Sequence, residues 1–240
     1  MHHKRRINER PLEPAPRASG FRFDRFPAAY CLISLILMLV TLPFIEDLRG
    51  GTLIEAVLTT TLLLSAIFAA GAQGKKLVFG FLLATPALIA SWESYSRPEL
   101  MSLEIFRGTA ILFFGFVVLQ LFWFIVRAPR VDSEVLCAGV TVYLMLGLMW
   151  SFAYTLVDWL VPNSFGFNAS PAVDHRMEGF QALYFSFITL STIGYGDIVP
   201  VSKVARLLAI VEAVLGTLYV TLFIARLVSL YSSRRVSDRV

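Results

Sequence analysis

The chain has 240 residues, 57% of them hydrophobic and only 16% charged, with a formal net charge of +4. Counted with glycine in place of tyrosine, about 60% is apolar, whereas soluble globular domains are about 45–50% apolar and about 25% charged. That balance excludes a water-soluble globular domain; disorder needs the opposite composition, and two cysteines exclude a disulfide scaffold.

A helix that crosses a bilayer needs about 20 mostly apolar residues, because it rises about 1.5 Å per residue across about 30 Å of hydrocarbon. Residues 1–26, rich in Pro and Arg, precede the first such stretch and read as a flexible basic arm. Its charges serve topology first, with anionic lipid headgroups as a second reading. Six stretches then qualify as crossings: Ala28–Ile45, Leu53–Ala72, Leu77–Trp92, Ile105–Val126, Val135–Val161 and Val204–Tyr231. The third is the shortest and holds Gly80 and Pro86, so it is the weakest as a straight helix. A seventh apolar stretch, Phe180–Ile193, is too short to cross and reads as a re-entrant element, which is stable at membrane depth only when protein or a water-filled cavity surrounds it. The expected fold is therefore an all-α integral membrane protein with six transmembrane helices and a re-entrant pore helix between the fifth and sixth. It divides into the arm (1–26), a four-helix membrane domain (27–131) and a pore domain with a short tail (132–240).

Basic residues orient the bundle. Lys4, Arg5, Arg6, Arg10, Arg17, Arg22, Arg25, Lys75, Lys76, Arg127, Arg130, Arg226, Arg234, Arg235 and Arg239 fall on one side if six helices alternate, leaving six on the other. The positive-inside rule puts that side, and both termini, in the cytoplasm of a cell with this protein in its plasma membrane. No A-x-A site follows the first apolar run, so that run reads as a retained anchor.

The distinctive motif is Thr192-Ile193-Gly194-Tyr195-Gly196-Asp197. A potassium ion entering a dry pore loses its hydration shell, and stacked rings of backbone carbonyls can replace those waters. Successive carbonyls of an ordinary strand point to opposite sides, so turning them all inward requires backbone handedness to alternate. Gly194 and Gly196 supply positions where positive φ costs little. The candidate ion-binding segment is Thr192, Ile193, Gly194, Tyr195 and Gly196, with the carbonyls of the first four as the ligands and the Thr192 hydroxyl adding a ring at the inner end. A pore helix over Glu178–Ser191 would aim the negative end of its dipole at the cation.

The hexapeptide, preceded by a short apolar helix and followed by a full span, closely resembles the selectivity-filter signature of potassium channels. The resemblance covers about Val135–Tyr231. It implies a potassium-selective channel, with potassium as permeant ligand. One filter loop supplies one quarter of a ring, so it also implies a homotetramer in the lipid bilayer.

Further roles follow from the resemblance. Ile188 stands where relatives often carry a Glu that pairs with the Asp after G-Y-G, so Asp197 needs another donor; Tyr184, where relatives often have a Trp, is the candidate. Gly216 matches the inner-helix hinge glycine. Thr217, Val220, Thr221, Ile224 and Val228 match the cavity-lining stripe. Glu212, four residues before Gly216 and so on a shared face, is an ionisable residue inside a span and reads as a filter-supporting brace. Arg226 lies about 200° around the helix from Ile224 and is expected to snorkel toward headgroups.

Voltage sensing needs several Arg or Lys at three-residue spacing in the fourth span, where only Arg107 stands, with Arg127 beyond its end. The first four helices thus have the count of a voltage-sensor scaffold without its charges, and strong voltage gating is not expected. About nine residues follow the last span, too few for a cytoplasmic sensor domain. His175, in the turret Pro162–Met177, reads as solvated rather than pH-sensing, and Asn168-Ala169-Ser170 fits a glycosylation acceptor followed by Pro171. With Cys31 and Cys137 in membrane helices and no nucleophile or metal-ligand cluster, no enzyme and no cofactor are expected. No basic and aromatic interleaving points to nucleic acid. The competing readings are a weakly selective cation channel and a non-conducting pore-like subunit of a transporter or regulatory complex.

Overall fold

The computed structural model describes residues 27–45, 48, 50–71, 75–96, 103–168 and 176–237. The basic arm with its proposed lipid contact, and His175, lie outside the described residues. Seven helices follow one another: α1 (Pro27–Ile45), α2 (Gly51–Ala69), α3 (Lys75–Ser96), α4 (Leu103–Arg127), α5 (Ser133–Leu160), α6 (Gly179–Leu190) and α7 (Lys203–Ser237). Among the described residues, five of these (α1, α2, α4, α5 and α7) are long and apolar enough to cross a membrane. The chain is a multi-pass membrane protein. The apolar part of α3, Lys76–Ile89, is shorter than a full span, although α3 itself continues for 22 residues through Pro86. One residue before that proline the Thr85 hydroxyl donates to the Phe81 carbonyl at 2.7 Å.

Helices α1 to α4 pack in sequence, and α4 and α1 both lie against α5 of the same chain. Their apolar residues join those of α5, including Phe113, Val117, Leu121, Val142 and Met145, in one continuous core. Polar ties are few and local: Ser34 and Ser65 share a hydrogen bond at 2.7 Å between α1 and α2. The α1 N-terminus is anchored from a distance, because the Glu134 carboxylate on α5 accepts from the Ala28 amide at 2.7 Å. A carboxylate there satisfies an orphan amide and faces the positive end of the helix dipole.

Arg226 does not snorkel. Its Nη2 donates to the carbonyls of Val126 (2.8 Å) and Ala128 (3.0 Å), at the C-terminus of α4. A helix end presents unbonded carbonyls and partial negative charge, a better partner for a guanidinium than dispersed headgroups. The contact joins positions about 100 residues apart, which spacing along one helix could not reveal.

The all-α membrane fold carries one addition. Strands β1 (Phe165–Phe167) and β2 (Ile198–Pro200) pair antiparallel, with Phe165 opposite Pro200 and Phe167 opposite Ile198. They are three residues each, and they set residues 165–167 against the residues that follow the motif.

Two glycines let α5 receive its neighbours. The Phe223 ring of α7 occupies the space of a side chain at Gly139, and the Phe187 ring of α6 that at Gly147. Small residues permit this approach where helices pack in lipid. Gly147→Ala would place a methyl 2.6 Å from the tip of the Phe187 ring. It should destabilise the protein by about 1–3 kcal/mol, seen as a lower thermal midpoint of the purified protein; an unchanged midpoint would contradict this packing.

Candidate ion-conduction site

Helix α6 ends at the motif, and the geometry of that end carries into the next residues. Ser191 closes the helix; Thr192 N–H donates to the Thr189 carbonyl at 2.9 Å, and Ile193 N–H reaches back to the Ile188 carbonyl at 2.9 Å. This pair of bonds is a Schellman motif, which places the residue after the cap in the left-handed region. That residue is Thr192, with φ 60°. Glycine usually stands there; a β-branched residue is strained by about 1–2 kcal/mol. A threonine keeps a hydroxyl at this point, and that hydroxyl makes no hydrogen bond among the described residues.

The same handedness recurs along the segment. Gly194 has φ 55° and Gly196 φ 80°, whereas Ile193 and Tyr195 are not in the positive region. The backbone therefore alternates over Thr192–Gly196. Gly194 N–H joins Ile193 N–H on the Ile188 carbonyl, at 3.1 Å. The amides thus turn back toward α6. Among the described residues, no hydrogen bond falls on the carbonyls of Thr192, Ile193, Gly194 or Tyr195, and all four residues are exposed in the single chain. Gly196 differs: its carbonyl accepts from Asn168 Nδ2 at 2.9 Å. Its position in the segment is conformational, and its carbonyl is already engaged.

Asn168 was legible in the sequence only as a glycosylation acceptor. It holds the outer end of the motif twice, through its side chain and through its own N–H, which donates to the Asp197 carbonyl at 2.7 Å. The β1–β2 pair delivers it there. The Asp197 carboxylate accepts from the Tyr184 hydroxyl of α6 at 2.7 Å. Ionising Tyr184 would set a second negative charge beside that carboxylate, and its hydroxyl is pushed up to about 12 by this bond, then by burial. The bond's contribution is therefore intact below the ordinary tyrosine value of 10 and is lost only as pH rises through about 12.

Behind the motif, Glu212 of α7 is wholly buried. Tyr154 of α5 donates to its Oε2, and Ser186 of α6 lies 2.5 Å from its Oε1. Ser186 Oγ is also 2.7 Å from the Gly147 carbonyl of α5. Around this polar knot, Tyr154, Phe165 and Phe185 meet edge to face, with centroids 4.8–5.7 Å apart. Gly216 is a packing position: α7 runs unbroken through it, and any Cβ there would collide with the Leu190 carbonyl at the end of α6. Thr217, Val220, Thr221, Ile224 and Val228 are all exposed on the face of α7 away from Glu212, Tyr219 and Phe223.

Arg107, near the start of α4, is buried and reaches Glu178 at the N-terminus of α6, at 3.2 Å. Glu178 is half-exposed, so the pair adds little stability. It does fix where the four-helix part touches the pore helix.

Residues 133–233 match the ion channel family. The match covers 101 of the chain's 240 residues. The chain is 32% identical over 117 residues to the voltage-gated potassium channel Kch of Escherichia coli, covering 49% of this chain and 26% of that protein. It is 34% identical over 93 residues to two-pore potassium channel 3 of Arabidopsis thaliana (38% of this chain, 18% of that one), and 44% over 49 residues to two-pore potassium channel 4 of the same plant (20% and 17%). The chain thus spans about a quarter or less of the length of these relatives. No solved structure matches it.

Tyr184→Phe removes a hydrogen bond to a charged group, an interaction of about 1.5–3 kcal/mol. It should shorten open-state lifetimes in single-channel recordings, whereas Tyr184→Trp, which restores a donor, should lengthen them again. Lifetimes indifferent to all three side chains would show that the bond does not hold the filter.

Proposed function

We propose that this chain is one subunit of a homotetrameric, potassium-selective channel that conducts passively down the ion's electrochemical gradient. The observation that carries the reading is the alternating backbone of Thr192–Gly196, with the four successive carbonyls of Thr192 to Tyr195 unbonded among the described residues while the amides of Thr192, Ile193 and Gly194 are turned back onto α6. Four such segments around an axis would give stacked rings of eight-oxygen sites, able to stand in for the water a potassium ion sheds. The relatives' names, which are those of potassium channels, support the same reading.

A single chain supplies only a quarter of each ring, and cyclic symmetry supplies the rest. The large exposed apolar residues of α7, such as Leu207, Ile210, Leu218 and Leu222, supply a surface on which neighbouring subunits can pack. In this assembly Thr217, Val220, Thr221, Ile224 and Val228 line a cavity below the filter, and Gly216 lets α6 seat against α7. Residues 27–131 form a peripheral scaffold that packs on its own subunit's α5. In this reading the protein sits in the plasma membrane with six crossings and both termini cytoplasmic, an orientation supported by the excess of basic residues on one side.

Voltage dependence is weak in this reading. Arg107 is buried and bonded to Glu178, which suits a fixed contact better than a charge that moves through the field.

Reversal potentials in proteoliposomes under opposed potassium and sodium gradients test the function. A shift that follows potassium is expected; a shift indifferent to the ion indicates a weakly selective cation channel, and no current a non-conducting subunit. Gly194→Ala meets no neighbouring atom but forces a side chain into φ 55°, costing about 1–2 kcal/mol of backbone strain per subunit. It should abolish selectivity or flux while the tetramer's mass is unchanged. Steep voltage activation of the unaltered protein would overturn the account of Arg107.

A further inference from the structure

Four groups in line join three helices behind the filter: the Tyr154 hydroxyl, the Glu212 carboxyl, the Ser186 hydroxyl and the Gly147 carbonyl. They make three contacts, each within hydrogen-bond distance, and each contact needs one proton between its oxygens. The Gly147 oxygen carries none. Tyr154 and Ser186 bring one each. Tyr154 uses its proton on Glu212. If Ser186 gives its proton to Glu212, two bare oxygens face each other at 2.7 Å across the Ser186 to Gly147 contact. If it gives it to Gly147, two bare oxygens face each other at 2.5 Å across the Ser186 to Glu212 contact. The inventory closes only with a third proton, and the Glu212 carboxyl is the one group in the line able to carry it.

The surroundings agree with a neutral acid. Glu212 is 0% exposed, and an isolated carboxylate in such a place is costly enough that the group takes a proton instead. From α5 it is faced by Tyr154, with Tyr143 within electrostatic reach; from α6, by Ser186. Among the described residues no lysine, arginine or histidine is bonded to it. Tyr219, on its own helix, donates to the Gly139 carbonyl, and Tyr184 of α6 to Asp197.

We propose that Glu212 is carried as the neutral carboxylic acid, and that its proton, donated to Ser186, pins the pore helix α6 between α5 and α7, so that removing this proton with base loosens the filter from behind. The inference rests on the pore reading above only in its last clause. Ser186 lies two residues before Ile188, whose carbonyl holds the filter amides, so the pin acts directly behind the ion-binding segment. Once ionised, Glu212 becomes an acceptor only. Ser186 must then turn its one proton to the carboxylate, and the tie to Gly147 is lost.

Infrared spectra of the full chain in lipid, compared between the unaltered protein and Glu212→Gln, read the proton directly. At neutral pH the unaltered protein should show a carbonyl stretch of a protonated carboxylic acid, sensitive to deuterium, that Glu212→Gln lacks. Ser186→Ala should keep this band and move it to higher frequency, because the acid loses its acceptor. Identical spectra for the unaltered protein and Glu212→Gln overturn the proposal. As pH is raised, the thermal midpoint of the unaltered tetramer should fall more steeply than that of Glu212→Gln, because the folded state holds a proton that the unfolded state has released. Parallel falls overturn the pinning role. Potassium flux is measured on the same samples: its absence beside an intact acid band defeats the channel reading and leaves the neutral Glu212 standing.

Discussion

The Ile188 carbonyl receives the amides of Ile193 and Gly194 at 2.9 and 3.1 Å, and the rest of the site depends on where those two amides point. A strand that bonded its amides and carbonyls in the usual alternation would offer an ion every second oxygen at best. By drawing the amides back onto the last turn of α6, the Schellman end frees the carbonyls on the other side. The helix terminus and the first residue of the motif are thus one piece of backbone, and Thr192 holds a left-handed conformation because the helix ends there. This also explains why a strained threonine is tolerated: two hydrogen bonds fix the position.

Once α6 sets the segment, the structure's remaining task is to hold α6. It is held at its foot by the Leu190 contact with Gly216, along its back by the knot of Tyr154, Glu212, Ser186 and Gly147, and at its head by Arg107 on Glu178. The outer end of the filter is fastened separately, through Asn168 to Gly196 and Asp197 and through Tyr184 to Asp197. Each fastening comes from a different element. The site is rigid because its supports converge from α4, α5, α7 and the short β pair, with the edge-to-face rings of Tyr154, Phe165 and Phe185 filling the space between. The four-helix part is joined to the pore at both ends of α4: by Arg107 to α6 and by Arg226 from α7. It is built as a brace, with the buried Arg107 bonded.

Much of this was written locally in the sequence. The spans were legible because an apolar run of the right length has few alternatives, and the helix limits differ from the expected ones by a few residues at most except at α7, which continues to Ser237. The placement of Gly194 and Gly196 was legible because positive φ selects glycine. What could not be read were contacts between residues far apart in the chain. Asn168 looked like a surface asparagine, and nothing near it in sequence says that a three-residue strand will set it against Gly196, 28 positions later. Arg226 looked like a headgroup anchor because its true partner, the end of α4, is about 100 residues away.

The amino-acid sequence by itself determined the solvent, the helices and the glycine positions of the motif, since each rests on composition or on the conformational freedom of single residues. Tertiary structure decided which groups support them. It engaged the Gly196 carbonyl that the motif alone had left free. It also enclosed Glu212 with two hydroxyls and a carbonyl, so that the charge state of the one carboxyl buried behind the filter is set by a count of protons among three helices.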